Sequence, residues 1–254
     1  DFRRAVGNDC IFCHNGYPEQ QSALTGDEPV FGESGAKVPE GIDCQRCHGP
    51  GLAHVNTAMS AGKTIEQIRG AILNPARLER KRQMEVCMQC HLETTSSPLP
   101  NAIRRFDRTL FSYRPGEPLA DYELTFDHKP GTGFDDRLEV AHQAYRLRKS
   151  ACFLNSEMTC TTCHNPHNVP RGEEATKHYV AVCVSCHTKP HIPALTATAS
   201  KSTCLDCHMW KRRTDDAVHV VMTDHYIQRI KPKRDLLAPV KESVALYRNE
   251  VIPY

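Results

Sequence analysis

Apolar residues are sparse along this chain and gather in short groups. Thr64 to Leu73 is the first legible helix, with Thr64 and Gln67 spaced as a capping box. Asn74-Pro75 then reads as the N-cap and first residue of a second helix. That helix carries Met84, Cys87, Cys90 and His91 on one face. Phe106 to Tyr113 and Tyr122 to Phe126 alternate, predicting a short hairpin. Asp135 to Cys152 is the strongest helical pattern, its stripe formed by Leu138, Ala141, His142, Tyr145 and Cys152. Asn15 to Gly41 is rich in Gly, Pro and polar residues and reads as a loop. No run of 18 apolar residues occurs, so no membrane span is expected. The pattern predicts a mainly α fold with extensive loops and little β.

The polar positions hold a repeat that changes this picture. Cys160-Thr-Thr-Cys163-His164, Cys183-Val-Ser-Cys186-His187 and Cys204-Leu-Asp-Cys207-His208 follow one another within 49 residues. Cys10-Ile-Phe-Cys13-His14, Cys44-Gln-Arg-Cys47-His48 and Cys87-Met-Gln-Cys90-His91 precede them. Cys-x-x-Cys-His is the attachment signature of a c-type haem. On a helical turn the cysteines lie at i and i+3 and the histidine at i+4, so all three share a face. The thiols then join the porphyrin vinyl groups and the imidazole serves as the proximal iron ligand. Zinc also uses paired cysteines but needs no histidine directly after each pair. With 14 His in 254 residues, six histidines behind six pairs are not an accident of composition. A thiol oxidoreductase motif fails on the same ground. The expected cofactors are six haem c.

Six haems leave roughly 42 residues for each, a size at which a polypeptide struggles to build its own core. With 39% hydrophobic residues and one Trp, the chain is expected to wrap the haems as its core and to be largely unfolded without them. The formal charge of +2 also needs correction. Haem propionates would add about −12 and ferric haem cores return about +6, so the holo-protein should be net negative. Many of the 32 Lys and Arg are expected to pair with propionates, which excludes nucleic acid as the partner of the basic runs. Attachment of haem c occurs outside the cytoplasm, so the expected location is extracytoplasmic, in the periplasm or at the cell exterior. The chain starts at Asp1 without a signal peptide, and is expected to be a mature product or a fragment.

Gly41-Ile-Asp-Cys-Gln-Arg-Cys-His-Gly-Pro-Gly51, Cys160-Thr-Thr-Cys-His-Asn-Pro-His167, Cys204-Leu-Asp-Cys-His-Met209 and Thr223-Asp-His225-Tyr-Ile-Gln-Arg229 resemble the multihaem cytochrome c-554 family. The likeness runs from Gly41 to Arg234 and is strongest to bacterial modules that precede tetratricopeptide repeats, which this sequence lacks. The resemblance implies extracytoplasmic electron transfer and mostly bis-histidine haems.

Beyond the six proximal histidines, eight remain. Seven are candidate distal ligands: His54, His128, His142, His167, His178, His219 and His225. His191, in a Pro-flanked turn, is set aside. His54 and His167 follow their motifs too closely to fold back and are expected to serve neighbouring haems. Bis-histidine ligation closes the iron to substrates and keeps its potential low. Cys152 is the odd thiol, a small buried residue or else a thiolate ligand or intermolecular disulfide.

Three functions fit. One is an electron carrier or conduit working with redox partner proteins. Another is a reductase or oxidase of a small nitrogen or sulfur compound, requiring one five-coordinate haem. The last is a subunit of a filament, through copies of itself. Residues 1–230 are read as the hexahaem domain and 231–254 as an extended tail. Leu236, Leu237, Val240, Val244, Leu246, Tyr247, Val251, Ile252 and Tyr254 are its apolar anchors. The tail is expected to pack on a neighbouring subunit or a repeat-containing partner, or else over its own haems.

Overall fold

The computed structural model describes residues 8–18, 39–92, 102–188, 203–241 and 250–254. Helix and loop dominate with little strand, as the pattern predicts. The chain divides into two compact units. The first comprises Asp1–Cys90, Pro100–Asp127 and Ile252–Tyr254; the second comprises His91–Leu99 and His128–Val251.

In chain order the first helices are α1 (Asn8–His14), α2 (Gln45–His48), α3 (Leu52–Met59), α4 (Ile65–Gly70) and α5 (Arg80–His91). The predicted capping box of α4 forms: Thr64 and Gln67 each bond the other's backbone N–H. Asn74 caps as expected, its Oδ1 accepting from Ala76 N. It opens only a 3₁₀ turn, Pro75–Arg77, because Leu78 is extended (ψ 159°) and α5 starts afresh. Strand β1 (Ala102–Arg104) pairs antiparallel with β2 (Glu123–His128), Ile103 opposite Leu124. The expected hairpin is thus half right. Phe106 to Tyr113 is not a strand: Leu110, Phe111 and Tyr113 turn inward from an irregular segment and join Ile11, Phe12, Leu119 and Tyr122 in the core of this unit. The Tyr122 hydroxyl donates to the Leu110 carbonyl and pins that segment.

The second unit holds α6 (Gln143–Leu147), α7 (Ala151–Leu154), α8 (Cys160–Cys163), α9 (Gly172–Cys186) and α10 (Cys204–His208), then β3 (Lys211–Arg213) antiparallel to β4 (Val221–Thr223). The long helix expected over Asp135 to Cys152 is two short ones preceded by turns. The Asp215 carboxylate accepts from Leu138 N at 2.8 Å, and Asp216 accepts from Val140 N at 3.1 Å. Val140 N, a donor that a helix from Asp135 would use internally, is therefore taken by a residue 76 positions away. The stripe is still inward, with Leu138, His142 and Tyr145 buried.

Arg146 and Arg212 are both buried and converge on Asp224 and Asp136. Arg146 reaches Asp224 as a fork, Nε to Oδ1 at 2.8 Å and Nη2 to Oδ2 at 2.6 Å. The described part of the tail follows its own chain. Leu236 is buried and its carbonyl accepts from Arg213 N at 2.9 Å. Strand β5 (Val251–Pro253) lies on the free edge of β2, and Tyr254 N donates to Thr125 O. His191 and most of the loop between Asn15 and Gly41 lie outside the described residues, as do Val244, Leu246 and Tyr247.

Candidate haem-binding site

All six Cys-x-x-Cys-His segments lie on helical turns, and none of the thirteen cysteines is in a disulfide. How each turn is placed follows from the residue before its first cysteine. Asp43 Oδ1 accepts from Gln45 N and Arg46 N, starting α2 on the motif. Thr159 and Thr203 do the same for α8 and α10 through reciprocal caps with Thr162 and Asp206. Where that residue is apolar, as at Val86 and Val182, the motif instead closes a longer helix, α5 or α9. Gly49, φ 74°, lets the chain turn sharply away behind His48.

Four proximal histidines have Nδ1 tied down. Nδ1 faces Leu73 O at 2.8 Å in His48, Gln143 Oε1 at 2.9 Å in His91, and Gln228 O at 2.7 Å in His208. In His164 it faces the Tyr179 hydroxyl at 3.2 Å. Against a carbonyl oxygen Nδ1 must be the donor, which leaves the Nε2 lone pair outward, the arrangement that metal-bound imidazoles need. Burial and the neighbouring His178 and His91 hold the His164 imidazole below its ordinary range, although the residue stays accessible on one side.

Some thiols of different motifs lie close together, Cys47 near Cys87 and Cys90, and Cys183 near Cys163 and Cys204. Burial and the nearby Cys87 and Cys90 push the Cys47 thiol up. Burial, Cys204, Cys163 and Cys152 push Cys183 up to about 11. Cys152, on α7, sits beside these motifs and is half-buried, and burial raises its thiol too. A raised thiol is a poor nucleophile, so the small-residue reading suits it better than a thiolate.

Among the distal candidates, His54 on α3 faces Ile68 O through Nδ1 at 2.8 Å. His128 is buried and stacks on Phe134 at 4.3 Å. His142 is held by its own turn: Glu139 N donates to Nδ1, and Nε2 lies 3.2 Å from Glu139 Oε2, close but poorly aligned for a hydrogen bond. His167, His178 and His219 are exposed, and His178 Nε2 faces Cys163 O at 2.9 Å. His225 is half-buried with Nδ1 at 3.2 Å from Thr223 O. An open groove beside the fourth motif is lined by Cys163, His164, Asn165 and His178.

The surroundings fit a large apolar cofactor. Helices α3, α4, α8, α9 and α10 bury no residue completely, and Leu52 (72% exposed), Met59 (82%) and Val184, the last inside a motif, display apolar surface. Arg46, inside the second motif, is buried over the Phe12 ring with Nη2 at 3.9 Å from Cys90 Sγ. Its Nε and Nη1 have no hydrogen-bond partner among the described residues, so two donors remain for an acid group. Sequence reasoning missed Arg46, Gln143 and Tyr179. Only the capping residues before Cys44, Cys160 and Cys204 carried a local signal. Among the described residues no three His, Cys, Asp or Glu side chains converge as a metal cage, and no helix is long and apolar enough to cross a membrane.

A family profile described as a doubled CXXCH motif matches residues 154–192. The chain is also similar to the multiheme cytochrome MtrA of Shewanella baltica (strain OS185), 22% identical over 202 residues, covering 74% of this chain and 54% of that protein. It thus spans about half the length of this relative. No solved structure matches it. The doubled motif and this similarity support a multihaem c-type cytochrome with covalently bound haem.

Proposed function

We propose that this chain transfers electrons through six closely packed, mostly bis-histidine c-type haems outside the cytoplasm. The observation that carries the reading is the repeated pairing of a helical Cys-x-x-Cys with a histidine whose Nδ1 is engaged, as in His48, His91, His164 and His208. Haem supplies reversible one-electron exchange when bound. The chain's own part is to hold each thiol pair on one helical face, to fix each imidazole by its Nδ1 bond, and to pack apolar side chains against the porphyrin. Arg46 has two N–H donors that suit a propionate. The nearness of Cys47 to Cys87, and of Cys183 to Cys163 and Cys204, supports haems stacked closely enough for transfer between them.

Redox partner proteins, further copies of this chain in a filament, or a repeat-containing protein would continue the path. The test is low-temperature EPR of the fully oxidised holo-protein. Low-spin ferric signals throughout are expected, because bis-histidine iron has no open position. A high-spin signal of one haem equivalent would overturn the carrier reading in favour of a reductase or oxidase with an open iron.

A further inference from the structure

We infer that His164 and His225 are the two axial ligands of one iron, that of the haem attached at Cys160 and Cys163. The inference rests on the haem reading above and adds which distal histidine serves which motif. The two residues are 61 positions apart in sequence, yet their ring centroids are 6.1 Å apart with planes at 30°. A first-row metal binds imidazole nitrogen at about 2 Å and the ring centre lies ~1 Å further, so two rings trans across one metal stand roughly 6 Å apart. The observed spacing matches that span.

In both rings the contact falls on Nδ1. Thr223 O can only accept, so it fixes the proton of His225 on Nδ1 and leaves Nε2 as the ligating atom. The Tyr179 hydroxyl faces Nδ1 of His164 at 3.2 Å and, as the acceptor there, would leave Nε2 of that ring to ligate. Two further imidazoles lie near this motif: His178 directs its Nε2 at Cys163 O, and His91, near both rings, is the histidine of its own motif with Nδ1 on Gln143 Oε1.

His225 is also held in place. Asp224 is gripped by Arg146 and Arg212, and its Oδ1 accepts from Tyr226 N at 2.9 Å. Ser150 Oγ donates to His225 O and accepts from Ile227 N. The backbone on both sides of the imidazole is thus fixed by buried groups, as a preorganised ligand requires.

The experiment uses the holo-protein and two readouts, covalent haem by pyridine haemochrome and spin state by EPR. His225→Ala should turn one haem per chain from low to high spin while the covalent haem count stays at the wild-type value. In a Cys160→Ala/Cys163→Ala chain, which lacks that haem, His225→Ala should add no high-spin signal. Wholly low-spin His225→Ala protein, or a high-spin signal that persists without the fourth motif, would overturn the pairing. If His225→Ala does not accumulate, His225→Met decides: methionine in place of histidine should raise the potential of one haem, and unchanged potentials would refute the assignment. Wild-type protein without a haem c spectrum would refute the haem reading itself, a different result from any of these.

Discussion

A chain produced without haem attachment is expected to be largely unfolded. Polypeptide packing alone is thin where the motifs are densest: α8, α9 and α10 contain no fully buried residue, and neither do α3 and α4. Isolated helices shorter than about 12–15 residues are marginal in water, and four of these five have eight residues or fewer. Their apolar side chains, such as Leu52, Met59, Ile65 and Val184, gain little from the rest of the chain. Circular dichroism of the haem-free chain should therefore lose most of its helical signal. Limited proteolysis should cut first between Ala151 and His208. The cluster around Phe12, Phe111 and Tyr122 is the part with most packing of its own and should resist longest. Native-like helicity and protease resistance without haem would contradict the idea that the cofactor completes the core.

The second large effect is expected at Arg146, which is fully buried and bonded to both Asp224 and Asp136. Removing one partner of a buried ion pair leaves the other charge desolvated and typically costs about 3–5 kcal/mol. Arg212 still reaches Asp224 at 3.2 Å and Asp136 at 2.9 Å, so Arg146→Met should fall at the low end, about 3 kcal/mol. Arg146→Lys should lose less, since it keeps the charge and forfeits only the fork. The midpoint of denaturant unfolding is the measurement, and an unchanged midpoint for the methionine variant would sink the argument. The same network sets an acid limit. Burial would raise the Asp136 carboxyl, but the hydrogen bond from Arg234 and the charges of Arg212 and Arg146 outweigh it and hold the carboxyl at about 2. Asp224 is lowered in the same direction, burial again being outweighed by Arg146. A depressed carboxyl stabilises the fold above its ordinary value of 3.8, and that contribution is lost as the pH falls from there towards 2.

The haem motifs were legible because all their chemistry lies within five consecutive residues, and a helical turn is enough to assemble it. The capping box at Thr64 and Gln67 was legible for the same local reason. Asp135 to Cys152 was misread because Asp216, far along the chain, takes the backbone donor of Val140. The alternation of Phe106 to Tyr113 was real, but it reflects inward aromatic residues in a turn segment, while Phe106 itself is wholly exposed. No periodicity could have joined His164 to His225, or shown that Gln143 would meet His91, since those approaches are made by tertiary packing. The tail was half legible. Its apolar anchors called for cover, and the burial of Leu236 and the pairing of β5 provide part of it within the chain.

The central claim is that every one of the six motifs carries a covalently attached haem. Pyridine haemochrome absorbance of purified holo-protein, divided by protein concentration from amino-acid analysis, tests it directly. The account predicts six haems c per chain. A value near four would mean that two of the motifs hold something else, and would contradict it.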